Sequence, residues 1–215
     1  MTDSEPLPIL HHEAGLVVVD KPAGLLVVPA PGRSGLTLID RVAQQLGCRA
    51  FAVHRLDEDT TGAMVVALDD QVRVAMESLF RAHAVQRDYL ALLASAPSPA
   101  AGRIEASLEV GSDGIVRVAK VGGQRAITHY ATLGRRDRCT LVRCRLETGR
   151  RNQIRAHMAA LGSPLAGDRK YGWRARPGES FPRVMLHSWR LVFRHPHTGN
   201  EVSVEVLPTE SALQP

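Results

Sequence analysis

From Arg103 to Leu146 the chain has the pattern of strands, punctuated only by glycine turns at Gly111, Gly114, Gly122-Gly123 and Gly134. A stretch like this carries no helix between its strands. Parallel neighbours need long crossovers, so these strands must pair mainly as antiparallel neighbours. The rest of the chain agrees, since strands outnumber helices without alternating with them. The expected fold class is α+β, with a central mixed, mainly antiparallel sheet flanked by helices and loops.

Gly15 to Asp20 reads as a buried strand, with Val17, Val18 and Val19 in a row. Lys21-Pro22-Ala23-Gly24 breaks it, and Leu25 to Val28 reads as a second strand. Leu36 to Leu46 has helical spacing, with Gly47 as its stop. Val72, Ala75, Met76, Leu79 and Phe80 recur at helical intervals, with Asp70 as the expected N-cap. Strands are predicted over 63–68 and 89–93, and a helix from about Arg151 to Leu161 ends before Gly162. A closing hairpin is predicted from Leu186 to Phe193 and Glu201 to Val206, around His195-Pro196-His197-Thr198-Gly199. Residues 1–13 read as a polar lead-in, 14–210 as one domain and 211–215 as a tail.

The net charge is +5, which favours anionic partners. Eight arginines fall between Leu133 and Arg155, opposed by Asp137 and Glu147 alone. Such a run is either a solvated face or a phosphate contact, and the guanidinium fork matches phosphate geometry. The three cysteines have no zinc spacing, and their odd number suits a reducing cytoplasm. His195 and His197 lack a third matched ligand, so no metal is expected. The N-terminus lacks the pattern of a secretory signal, and no apolar run is long enough to span a membrane. No P-loop or Gly-x-Ser-x-Gly elbow is present, so nucleotide hydrolysis and serine hydrolysis have no visible apparatus.

Three segments have the residues for chemistry. His54-Arg55-Leu56-Asp57-Glu58-Asp59-Thr60-Thr61-Gly62 is a polar island between apolar stretches, where a carboxylate can be partly desolvated and still reach a substrate. Read without context, it is more simply a charged turn with an N-cap role. Tyr89 opens a strand and is either core edge or a flat ring for a base to stack on. Arg150 and Arg151 sit at a helix start, which suits phosphate, and Arg151, Arg155 and Met158 fall near one helical face. His157 reads as a packed or capping histidine.

In order, these segments resemble the RluA family of RNA pseudouridine synthases over nearly the whole chain. Val19-Asp20-Lys21-Pro22-Ala23-Gly24-Leu25 is similar to the family's K-P-x-G turn. His54-Arg55-Leu56-Asp57 with Thr60-Thr61-Gly62 resembles H-R-L-D-x-x-T-S-G. Thr148-Gly149-Arg150 through Gln153-Ile154-Arg155 and His157 resembles T-G-R-x-H-Q-I-R-x-H. Gly167-Asp168 and Tyr171-Gly172 fit G-D-x-x-Y-G, and Leu186-His187 fits L-H-A. Asn152, Ser188, Thr61 and Arg87 depart from the usual His, Ala, Ser and Lys.

The resemblance implies the pseudouridine synthase fold with a catalytic cleft, and a cofactor-free isomerisation of uridine in ribosomal or transfer RNA. The catalytic aspartate falls on Asp57, the active-site tyrosine on Tyr89, and the arginine that pairs with the aspartate on Arg155. Arg55 matches an arginine that enters the RNA stack, and Ile154 and Leu186 match apolar positions beside the base. Thr61, Arg150 and Arg151 are expected RNA contacts. The chain is too short at its N-terminus for the S4 RNA-binding module of some relatives. A monomer acting on RNA, without metal, membrane or obligate protein partner, is expected. Two rivals remain. A non-catalytic RNA-binding protein would keep the basic face, and a retaining glycosidase would need a second carboxyl group, which nothing in the sequence marks.

Overall fold

In a computed structural model, residues 5–215 are described. The elements in chain order are β1 (Ile9–Glu13), β2 (Leu16–Lys21), α1 (Leu38–Leu46), β3 (Phe51–Ala52), β4 (Thr61–Ala67), α2 (Asp70–Arg81) and β5 (Gln86–Leu93). There follow β6 (Ala101–Val110), β7 (Val116–Val118), β8 (Gln124–Arg136), β9 (Cys139–Leu146), α3 (Gln153–Ala160), β10 (Leu186–Arg194) and β11 (Glu201–Glu205). This is the α+β class expected from the sequence. The chain divides into two compact units, one formed by residues up to Gln86 with Ser188–Leu207, the other by Arg87–His187 with Pro208–Pro215.

In the first unit β1, β2, β4 and β10 lie side by side, with β3 on β4 and β11 on β10. The pairs β1–β2, β2–β4, β3–β4 and β10–β11 are antiparallel. β4 reads Thr61-Gly-Ala-Met-Val-Val-Ala67 and is buried on both faces after its first residue, as its unbroken apolar run requires. α2 packs Val72 and Met76 into a core of Leu16, Val18, Val65, Leu191 and Phe193. Its N-cap is Asp69, whose carboxylate accepts from Val72 N, so the predicted cap Asp70 is instead the first helical residue.

Two further expectations are corrected here. The predicted lead-in contains β1, which pairs with β2, so residues 9–13 belong to the sheet. Leu25 to Val28 forms no strand. Leu26 and Val27 offer their carbonyls to the N–H groups of Leu38 and Ile39, satisfying the open start of α1. Thr37 completes that end with a capping box to Asp40, and Gly47 closes the other end in the left-handed conformation.

In the second unit the strand order is β5-β9-β8-β6-β7, and the named pairs are antiparallel. α3 packs Ala156 on Leu108, Val116 and Ala126. The segment expected as a C-terminal tail is tied in. Leu213 is buried, and Gln214 O accepts from Arg136 Nη2. His195, at the hairpin turn in the first unit, is structural: its Nδ1 accepts from the N–H groups of His197 and Thr198, and Nε2 lies 3.2 Å from Glu13 O. Among the described residues no helix is long and apolar enough to cross a membrane, and no group of three or more His, Cys, Asp or Glu is placed to hold a metal ion.

Candidate active site

The polar island sits in the connection from β3 to β4, as a loop with Asp57 half-buried and Arg55 exposed beside buried Leu56. Its backbone is held from one point. Lys21, the last residue of β2, is fully buried, and its ammonium donates to the carbonyls of Pro22 at 2.9 Å, Glu58 at 2.7 Å and Thr60 at 3.0 Å. Gly24 N–H donates to the Glu58 carbonyl as well, and Thr60 N–H turns back to Asp57 O. The Lys21-Pro22-Ala23-Gly24 turn and the Asp57 loop are therefore one hydrogen-bonded structure. Below it, His54 Nε2 accepts from Val65 N and its ring stacks on Phe80 at 4.4 Å between centroids.

Lys21 lies in the Lys21-Pro22-Ala23-Gly24 turn, where the sequence alone assigns it no role. The available signal was a lysine ending a strand that is otherwise apolar except for Asp20. Three donors meeting three backbone acceptors satisfy an ammonium that burial would otherwise penalise heavily. Lys21→Met removes the charge but leaves those carbonyls short of a partner, so the loop loosens. The expected result is a loss of about 1–3 kcal/mol of stability, the cost of leaving buried polar groups without a partner. Urea unfolding of the variant beside the wild type checks it.

In the second unit Tyr89 lies on β5 opposite Cys144 and is buried. Its neighbour Asp88 takes a two-pronged contact from Arg145, at 2.8 and 3.2 Å. Arg87 is buried against the Thr148-Gly149 turn, where Nη2 donates to Glu147 O. A Cβ on Gly149 would stand 2.4 Å from Arg87 Nη1, so a larger residue there would have to push the guanidinium end aside. Burial lowers the Arg87 pKa from its usual value.

The turn leading into α3 is organised by Gln153. Its Oε1 accepts from Thr148 Oγ1 at 2.8 Å and Arg150 N at 3.0 Å. Its Nε2 donates to Ile127 O and Thr128 Oγ1, both at 2.9 Å. All four hydrogen-bonding positions of the amide are used. Asn152 adopts a left-handed φ of 52°, a conformation asparagine tolerates better than most side chains. The helix therefore starts at Gln153. Arg150 and Arg151 lie exposed in the turn before it, so the predicted shared face of Arg151 with Arg155 and Met158 does not form: Arg151 is outside the helix, and the other two are buried. Ile154 is buried beside Arg155, and Leu186 is the buried first residue of β10. Thr61 is the half-buried first residue of β4. The arginine run does not form one patch. Arg155 is interior, Arg145 is paired with Asp88, and Arg135, Arg138, Arg143, Arg150 and Arg151 are exposed.

Arg155 is committed to a partner that sequence reasoning did not assign. Its Nε and Nη2 donate to the two oxygens of Asp168 at 2.6 and 2.8 Å, and the Tyr171 ring lies 4.8 Å from the guanidinium carbon.

His157 sits wholly buried on α3, its Nδ1 2.9 Å from Thr128 Oγ1. Burial disfavours the imidazolium and pushes its pKa down to about 4. The folded value lies below the unfolded one. The stability from keeping His157 neutral is thus complete above about pH 6.5 and is lost as pH falls toward 4. Acidification from pH 7 to 5 should cost about 2 kcal/mol through this group. Urea unfolding of the wild type and of His157→Gln across that range checks it, since the variant should show a shallower dependence.

A sequence model described as RNA pseudouridylate synthase matches residues 15–160. The chain is 40% identical, over 97% of its length, to the ribosomal large subunit pseudouridine synthase D of Nitrosomonas europaea, and it spans 62% of that relative. It is 34% identical to the protein of the same name from Zymomonas mobilis, covering 97% of this chain and 71% of that one. Among solved structures, human RNA pseudouridylate synthase domain containing 4 superposes with a TM-score of 0.77 at 27% identity, over 94% of this chain and 89% of that one.

Proposed function

Because this chain belongs to the RNA pseudouridine synthases, of the RluA type, we propose that it converts uridine to pseudouridine in large-subunit ribosomal RNA. The reading is carried by the Asp57 loop: a half-buried carboxylate on a backbone fixed by Lys21, within the motif the family uses for its catalytic aspartate. The substrate is taken from the names of the bacterial relatives.

The reaction breaks the bond between uracil N1 and ribose C1′, turns the base and joins C5 to C1′; C5 gives up its proton and N1 takes one up, so the product is an isomer of uridine. It involves no net oxidation, so the residues need supply only position, charge and proton transfer. The target nucleotide leaves its stack at a cost of a few kcal/mol. Asp57 acts as the ionised carboxylate, Tyr89 stacks on the uracil, and the Arg155 guanidinium orients the reacting groups. Arg55 fills the gap in the RNA stack. Thr61, Arg150 and Arg151 hold the flanking RNA, and Ile154 and Leu186 give the base an apolar wall. Such an enzyme works in the cytoplasm as a monomer and requires no cofactor.

The test is to incubate the purified protein with unmodified large-subunit ribosomal RNA and map pseudouridine by carbodiimide-dependent reverse-transcription stops. Stops at discrete uridines are expected. Full-length RNA binding without any new stop would favour the non-catalytic RNA-binding alternative.

A further inference from the structure

Asp168 is 1% exposed and makes a two-pronged ion pair with Arg155, itself 9% exposed. The pair uses the side-on edge of the guanidinium, Nε and Nη2, and so fixes the rotation of the whole plane. Tyr171 covers that plane at 4.8 Å.

The backbone that carries the carboxylate is anchored in turn. Asp168 O accepts from the N–H groups of Tyr171 and Trp173, and Asp168 N donates to Leu165 O. Just upstream, Leu165 bridges to Leu93, and Ala166 N donates to Leu92 O at 2.8 Å. Leu92 and Leu93 belong to β5, the strand that carries Tyr89. Gly167 has φ +81°, and a Cβ there would lie 1.9 Å from Arg183 O, so the segment has little room to shift. A continuous chain of short contacts thus runs from the Tyr89 strand through Asp168 to the Arg155 guanidinium.

We infer that Asp168 is a positioning residue for the isomerisation, fixing the Arg155 guanidinium relative to the Tyr89 strand so that its end-on edge is aimed for the reaction. This rests on the proposed role of Arg155. Asp168 acts only through that arginine and touches no substrate.

The test is a double-mutant cycle of Asp168→Asn and Arg155→Lys, read as single-turnover rate, RNA affinity and melting temperature. Asparagine keeps the shape and one acceptor but loses the charged fork. Asp168→Asn alone is expected to slow the reaction about 100-fold, as a misplacement near 1 Å does, without weakening RNA binding. In the Arg155→Lys background it is expected to cost nothing more, because an ammonium has no plane to orient. An equal fractional loss in both backgrounds, or no loss in either, overturns the inference. If Arg155→Lys is as fast as the wild type, the assigned role of Arg155 fails instead. If no pseudouridine forms at all, nitrogen-15 NMR of the Arg155 Nε–H decides the positioning claim. Faster solvent exchange in Asp168→Asn supports it, and equal protection in both proteins overturns it.

Discussion

Asp57→Asn is expected to lower the rate of pseudouridine formation by roughly 10⁴-fold or more, with RNA affinity and melting temperature held near the wild-type values. The size follows from the role proposed for Asp57. An amide is neither a usable nucleophile nor a base, so the variant removes the reacting group rather than moving it. The retained fold follows from how the loop is fixed. Lys21 holds it through the carbonyls of Glu58 and Thr60, Gly24 through Glu58 O, and the turn itself closes on Asp57 O, so these fixings pass through main-chain atoms that asparagine keeps. Asparagine is also nearly isosteric with aspartate, so the loop can keep its shape. The experiment pairs pseudouridine mapping of a time course with a binding titration on the same RNA. A variant that still converts its uridines at the wild-type rate would remove Asp57 from the mechanism. A wild type as inert as the variant, with both binding RNA, would leave only the RNA-binding alternative.

What the sequence made legible was local. The period of Val72, Met76 and Phe80 placed α2, and the polar island from His54 to Gly62 appeared as the loop feeding β4. Gly47 ended α1 because only an easily left-handed residue closes a helix that way cheaply. Where reading failed, a distant partner decided. Leu25 to Val28 has strand-like residues, yet its carbonyls serve the start of α1, a demand set by residues ten or more positions later. Lys21 looks like a strand-end charge, and its meaning lies in carbonyls 37 and 39 residues away. The Arg155–Asp168 pair spans only 13 residues, but both fall in motifs whose internal spacing says nothing of the fork between them. The candidate site residues came from motif order, whereas what holds them came from packing.

Gly62→Ala is expected to destabilise the fold by about 3–5 kcal/mol, the sum of strain in a disfavoured backbone region and overpacking against an unyielding neighbour. Gly62 has φ +106°, and a Cβ there would lie 2.2 Å from the carbonyl oxygen of Ser188 and 2.9 Å from its C and N. Neither side can retreat. Gly62 is paired with Lys21 in the β2–β4 register, and Ser188 donates its hydroxyl to Ala63 O at 2.8 Å. Since a domain's whole stability is of order 5–15 kcal/mol, the variant should unfold at much lower urea or accumulate as insoluble protein. Gly24→Ala separates the two causes. Gly24 is also left-handed, at φ +75°, but an added Cβ would meet nothing within 4 Å. It should therefore cost only the conformational part, about 1–2 kcal/mol. Equal urea midpoints for the two variants would mean that strand β4 can move away from Ser188.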